Sequence, residues 1–75
     1  MSRLHSSSLG HRLQAARVSA GLTREQLATA IDKSWPTVRA YELGQATPPL
    51  SVLYRLADAF GVPVADLLDD EQVSA

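Results

Sequence analysis

Two helix starts stand close together in this chain, and together they limit what it can fold into. The first is "LTREQL", residues 22–27. Thr23 followed by Gln26 fits a capping box: the hydroxyl accepts from a first-turn N–H, and the Gln side chain reaches back to the cap. Leu22 and Leu27 stand at the staple positions on either side. The second start is "SWPT", residues 34–37. Ser34 can cap a helix in which Trp35 falls at the first position and Pro36 at the second. Proline is tolerated there because first-turn N–H groups have no partner inside the helix. Only a short helix fits between the two starts. Leu27, Ala28 and Ile31 make its inner face, and a brief turn at Asp32 and Lys33 ends it.

The flanking segments are helical too. Leu9, Leu13 and Ala16 recur at helical spacing, and Gly21 is placed to cap the end. The pattern predicts helices over about 9–20, 24–31, 35–43, 50–60 and 64–69, with no strand. Leu50, Leu53, Leu56, Ala57 and Phe60 form the expected inner face of the fourth. Gly44 and Gly61 close the third and fourth, and Pro63 opens the fifth. The expected organisation is a flexible arm at 1–8, one domain at 9–69 and an acidic tail at 70–75. The chain is 75 residues long, near the lower limit for a self-sufficient core.

Net charge is −1, which by itself argues against nucleic acid, but the charge is unevenly placed. Residues 1–60 hold all seven Lys and Arg and only Glu25, Asp32, Glu42 and Asp58 as acids. Residues 61–75 hold Asp66, Asp69, Asp70 and Glu71 and no base. A mildly basic body with an acidic end suggests a charged partner without naming it. There is no cysteine, hence no disulfide and no thiolate metal site. No apolar run approaches the ~20 residues of a membrane span, and "MSRLHSSSLG" lacks the core of a signal peptide. A cytoplasmic protein is expected. His5 and His11 have no partner at metal-ligand spacing. Ser6, Ser7 and Ser8 come with no base or oxyanion signature. Neither an enzyme nor a cofactor is expected.

On a 100° wheel, Val38 and Tyr41 of the third helix fall together and face the core. Trp35, Pro36, Arg39, Ala40 and Leu43 spread over the opposite arc. That arc carries one charge and much apolar surface. It suits either a protein interface or a helix that enters a groove. Two short helices joined by a tight turn, the second with such a face, make a helix-turn-helix. The first would lie across the phosphate backbone. The second would enter the major groove with its N-terminal half foremost, where the unusual residues crowd.

Here the chain resembles the lambda-repressor-like, Cro/cI or Xre-type, helix-turn-helix domains. The resemblance covers about residues 9–69. It is carried by "GLTREQLATAIDKSWPTVRAYELGQATPPL" and by "LADAFGVPVADLL", in order and without gaps. It implies an all-α, compact five-helix domain, binding to double-stranded DNA, and commonly a dimer on a palindromic operator. Trp35, Pro36, Thr37, Arg39 and Ala40 stand where family members touch base edges. Arg24 stands where the family usually has a phosphate-binding Gln. Lys33 and Gln45 flank the reading helix, where backbone contacts are expected. Arg17 and Glu42 match a structural pair that joins the first helix to the third. The chain departs from the pattern at Trp35 and Pro36, often Gln, Arg or Ser in the family. The loop "QATPP" lacks the usual Lys or Arg, and Pro49 and Pro63 replace common Ser caps.

The leading expectation is a sequence-specific transcriptional regulator, a small phage or bacterial repressor, nucleoid-associated in the cytoplasm. Arg39 is the one clear hydrogen-bonding reader, since Trp35 and Pro36 cannot make bidentate contacts to adenine or guanine. The alternatives are an antitoxin, or an interaction module that kept the fold and binds protein. No effector domain follows the helices, so no small-molecule ligand is expected. Val62, Val64, Leu67, Leu68 and Val73 suggest a weak homodimer through the 61–75 end. Leu67 and Leu68 are adjacent and cannot both face one small core.

Overall fold

A computed structural model describes the backbone over residues 5–68 and the side chains over residues 9–68. The elements are α1 (His5–Ser19), α2 (Arg24–Ala30), α3 (Trp35–Glu42), α4 (Leu50–Phe60) and a 3-10 turn, Val64–Asp66. Among the described residues there is no strand. α3 packs against α1 on one side and α2 on the other, while α4 closes the core from α2 to the 3-10 turn. Leu13, Leu27, Ile31, Val38, Leu56 and Leu67 meet at the centre, each almost wholly shielded from water. Burial of such side chains stabilises by about 1.5–3 kcal/mol each. Each of the four helices thus sends at least one aliphatic anchor inward, and Leu67 follows directly on the 3-10 turn.

The four helices end alike. After each, the chain takes one left-handed residue, at Gly21, Asp32, Gly44 and Gly61. Amide–carbonyl bonds then tie the exit back to the last turn: Leu22 to Arg17, Lys33 to Ala28, Gln45 to Ala40 and Val62 to Ala57, at 2.9–3.1 Å. These bonds satisfy carbonyls that a helix end would otherwise leave open. Asp32, at φ 61°, is the exception among three glycines. Asp tolerates this conformation better than most residues, so the α2–α3 turn forms without glycine.

Three sequence expectations require correction. α1 begins at His5, in the stretch expected to be an arm, rather than near Leu9. Serine costs a helix only about 0.5 kcal/mol relative to alanine, so Ser6–Ser8 do not oblige the helix to start after them. The fifth helix is a single 3-10 turn, so the described residues form four α-helices where five helices were expected. Its amide bonds run i to i−3: Asp66 to Pro63, Leu67 to Val64 and Leu68 to Ala65, at 3.0–3.2 Å. A segment this short gains little from helix propagation, whereas burying Leu67 requires the chain to turn inward at once. Last, Leu50 is 59% exposed, on the flank it shares with Tyr54, and Val52 is buried instead. Leu50 is the first residue of α4. The expected acidic tail at 70–75 lies outside the described residues.

Candidate nucleic-acid interface

The site is built on the placement of α3. α2 is started by the expected capping box: Gln26 N donates to Thr23 Oγ1 at 3.0 Å, and Thr23 N donates to Gln26 Oε1 at 2.8 Å. At its other end, Arg55 Nη1 of α4 reaches the Ile31 carbonyl at 3.5 Å. α2 is therefore held at both ends, and the tight turn through Asp32 delivers the chain to Ser34.

Ser34 occupies the N-cap position of α3, but its hydroxyl makes no cap bond to the helix backbone. It lies 3.2 Å from the Thr37 hydroxyl instead. Pro36 supplies no N–H, and the Thr37 amide already donates to the Ser34 carbonyl at 3.1 Å. The front of α3 therefore has a cap position without side-chain capping. Trp35 there is 46% exposed, Pro36 and Arg39 are exposed, and Thr37 and Ala40 are half-buried. Val38 and Tyr41 are buried on the other side. All five residues expected at base edges thus border one outward surface of α3, which continues to the exposed Leu43. Lys33 and Gln45 are exposed just before and just after the helix.

The rear of α3 is sealed. The Glu42 carboxylate is 1% exposed. Arg17 Nε donates to its Oε2 at 2.6 Å and Arg17 Nη2 to its Oε1 at 3.4 Å. Arg17 Nη1 donates to the Leu22 carbonyl at 2.9 Å, so one guanidinium ties the end of α1 to the end of α3. Gly10 explains how α1 comes so near. A Cβ at this position would collide with the Glu42 carbonyl oxygen, and would stand 2.9 Å from its carbon and 3.0 Å from the Tyr41 oxygen. Only a residue without a side chain allows this crossing.

Sequence reasoning missed one member of this cluster. Arg24, expected only as a phosphate contact, donates from Nε to Glu42 Oε1 at 3.0 Å. Its side chain remains 31% exposed. One carboxylate thus serves two guanidiniums, leaving a net positive charge at the junction of α1, α2 and α3. No spacing rule links positions 24 and 42; the available signal was a buried Glu among more cations than it can neutralise. Among the described residues, no group of three His, Cys, Asp or Glu could hold a metal ion. No helix among them is long and apolar enough to cross a membrane.

This is the geometry of a helix-turn-helix: a capped helix, a tight turn, and a second helix with an unburied front. A helix-turn-helix family model matches residues 13–67. The chain is 33% identical over 63 residues to the cryptic phage CTXphi transcriptional repressor RstR of Vibrio cholerae, covering 84% of this chain and 57% of that protein. It is 34% identical over 64 residues to the uncharacterized HTH-type transcriptional regulator MJ0272 of Methanocaldococcus jannaschii, covering 81% of this chain and 97% of that one. Among solved structures, it superposes on the restriction-modification controller protein C.AhdI of Aeromonas hydrophila with a TM-score of 0.80 and 28% identity. That match covers 84% of this chain and 96% of the other. The chain belongs to the helix-turn-helix family, as a DNA-binding domain of the kind carried by transcriptional regulators. It spans little more than half the length of RstR.

Proposed function

We propose that the chain is a sequence-specific transcriptional regulator, a small repressor of phage or bacterial type, acting in the cytoplasm on nucleoid DNA. α3 enters the major groove with Trp35, Pro36, Thr37, Arg39 and Ala40 toward base edges. The observation that carries this reading is the division of α3 into a buried face and an outward face whose only charge is Arg39. Arg39 donates to guanine O6 and N7, worth about 1–3 kcal/mol of discrimination. Pro36 and Ala40 offer only van der Waals contact, suited to a thymine methyl. The Trp35 indole lies against sugar or a methyl group beside it. Lys33, Gln45 and Arg24 hold phosphates around the reading helix and fix its register.

A weak homodimer joins two such domains on a palindromic operator through the 61–75 end. Leu67 is buried while its neighbour Leu68 is 41% exposed, which leaves an apolar contact point there. Twofold pairing sets two reading helices about 34 Å apart, one turn of DNA. Selection from random duplexes with the purified protein tests the whole reading. The expected product is a short palindrome with guanine at one position in each half-site. Recovery of no common sequence would end the claim of sequence-specific recognition.

A second reading has its own observation. Trp35 and Leu43 are both about half exposed on one helix, and apolar surface of this kind also suits a protein partner. An antitoxin or interaction module would use it so. Salt separates the two: only phosphate neutralisation releases counterions, so only DNA binding falls steeply as salt rises.

A further inference from the structure

The two arginines on Glu42 are not equivalent. Arg17 has all three nitrogens engaged, two on the carboxylate and one on the Leu22 carbonyl, and its side chain is 12% exposed. Arg24 gives the carboxylate its Nε alone and keeps 31% of its side chain at the surface. Among the described residues, its terminal Nη groups meet no acceptor. It is also the first residue of α2, the helix that would cross the DNA backbone. A guanidinium is a planar fork; once Nε is held, the direction of its outer donors is set. Rotamer freedom that a free arginine would lose on binding is then already lost in the folded domain.

We propose that Glu42 is a positioning residue for the DNA backbone. Its buried carboxylate holds Arg24 through Nε so that the Nη edge meets a phosphate. Glu42, at the rear of α3, thereby couples the seal of the fold to the grip of α2 on DNA. This rests on the DNA-binding reading proposed above.

Electrostatics alone predicts the opposite sign, which makes the proposal testable. Removing a negative charge near DNA should tighten binding. Loss of positioning should weaken it. Phosphate contacts are independent of sequence, so a short mixed-sequence duplex titrated at several NaCl concentrations is a sufficient probe. Glu42→Gln is expected to weaken binding about 3–10-fold, and in an Arg24→Ala background to leave it equal or slightly tighter, since only the electrostatic effect then remains. Arg24→Ala should lower the salt slope by about one. Circular dichroism at the binding temperature shows whether each variant is folded. Arg24→Lys keeps the charge without the fork and serves if Glu42→Gln does not fold; its affinity should fall toward that of Arg24→Ala. Parental affinity in Arg24→Lys, or equal or tighter binding by folded Glu42→Gln, overturns the positioning role. Either result with salt-dependent binding by the parent sinks this inference alone. A parent that binds no duplex sinks the DNA reading with it.

Discussion

The two ends of α3 are built on opposite terms. At the rear, Glu42 is 1% exposed at the side chain, bonded by two arginines, and crossed so closely by α1 that only Gly10 fits. At the front, Trp35 is 46% exposed, and Ser34 makes no side-chain cap bond to the helix. One eight-residue helix thus has an over-determined end and an end whose cap residue makes no side-chain bond to the helix backbone. The contrast separates two tasks. The rear fixes where α3 lies, and the front remains free to present side chains that the fold does not use. On the reading proposed above, a front tied into the core would have nothing left for bases, and a loose rear could not hold the front in register with a groove.

The largest test of that division is Glu42→Ala. It leaves Arg17 buried without its carboxylate and should cost about 3–5 kcal/mol. A domain of this size has roughly 4–11 kcal/mol in all, at 0.05–0.15 kcal/mol per residue. Urea unfolding should therefore show a deeply destabilised variant. If it melted like the parent and lost only DNA binding, the rear of α3 would be part of the interface and the division wrong.

Gly10→Ala sets two effects against each other. Helix propensity favours alanine by about 1 kcal/mol. Forcing apart a close-packed crossing costs about 1–3 kcal/mol or more, and the new Cβ meets backbone, which cannot swing aside. A net loss of stability is expected in the same assay. A gain would mean that α1 can shift freely against α3.

At the front the signs change. Arg39→Ala should leave the unfolding midpoint where it is, because the side chain is exposed and makes no ion pair among the described residues. Specific DNA binding should fall by about 1–3 kcal/mol, with relaxed preference at one base pair of each half-site. Equal weakening on every sequence would show that Arg39 holds a phosphate rather than a base.

The smallest test compares caps. Thr23→Ala removes a bonded cap of α2 and should cost about 1 kcal/mol. Ser34→Ala removes a hydroxyl bonded only to Thr37, and should stay within about 0.5 kcal/mol of the parent, as for ordinary surface positions. Equal costs at the two positions would show that the front of α3 is capped in solution after all.

Much of the fold was legible in the residues because its signals are local. The Thr23–Gln26 box, Pro36 in a first turn, and the buried pair Val38 and Tyr41 each depend on neighbours within about one helical turn. The outward arc of α3 followed from the same periodicity. Reading failed where an end met its surroundings. At the start of α1 no residue compels a boundary. After Pro63 the burial of Leu67 outweighs a short helical pattern. At Leu50, the first residue of α4, the regular apolar stripe continues but the side chain stays exposed.

By itself, then, the sequence determined that there would be short capped helices, where α2 and α3 would begin, and which face of α3 would turn outward. Those outcomes follow from steric and hydrogen-bonding preferences that act between residues a few positions apart. Only the tertiary structure decided that Glu42 serves two arginines and that Arg24, eighteen residues away, is tied to it. Only it decided that the backbone of α1 lies so near α3 at Gly10 that no side chain fits there. Such contacts depend on how whole helices settle against one another around Leu13, Ile31 and Val38, and no spacing within a single helix encodes that distance.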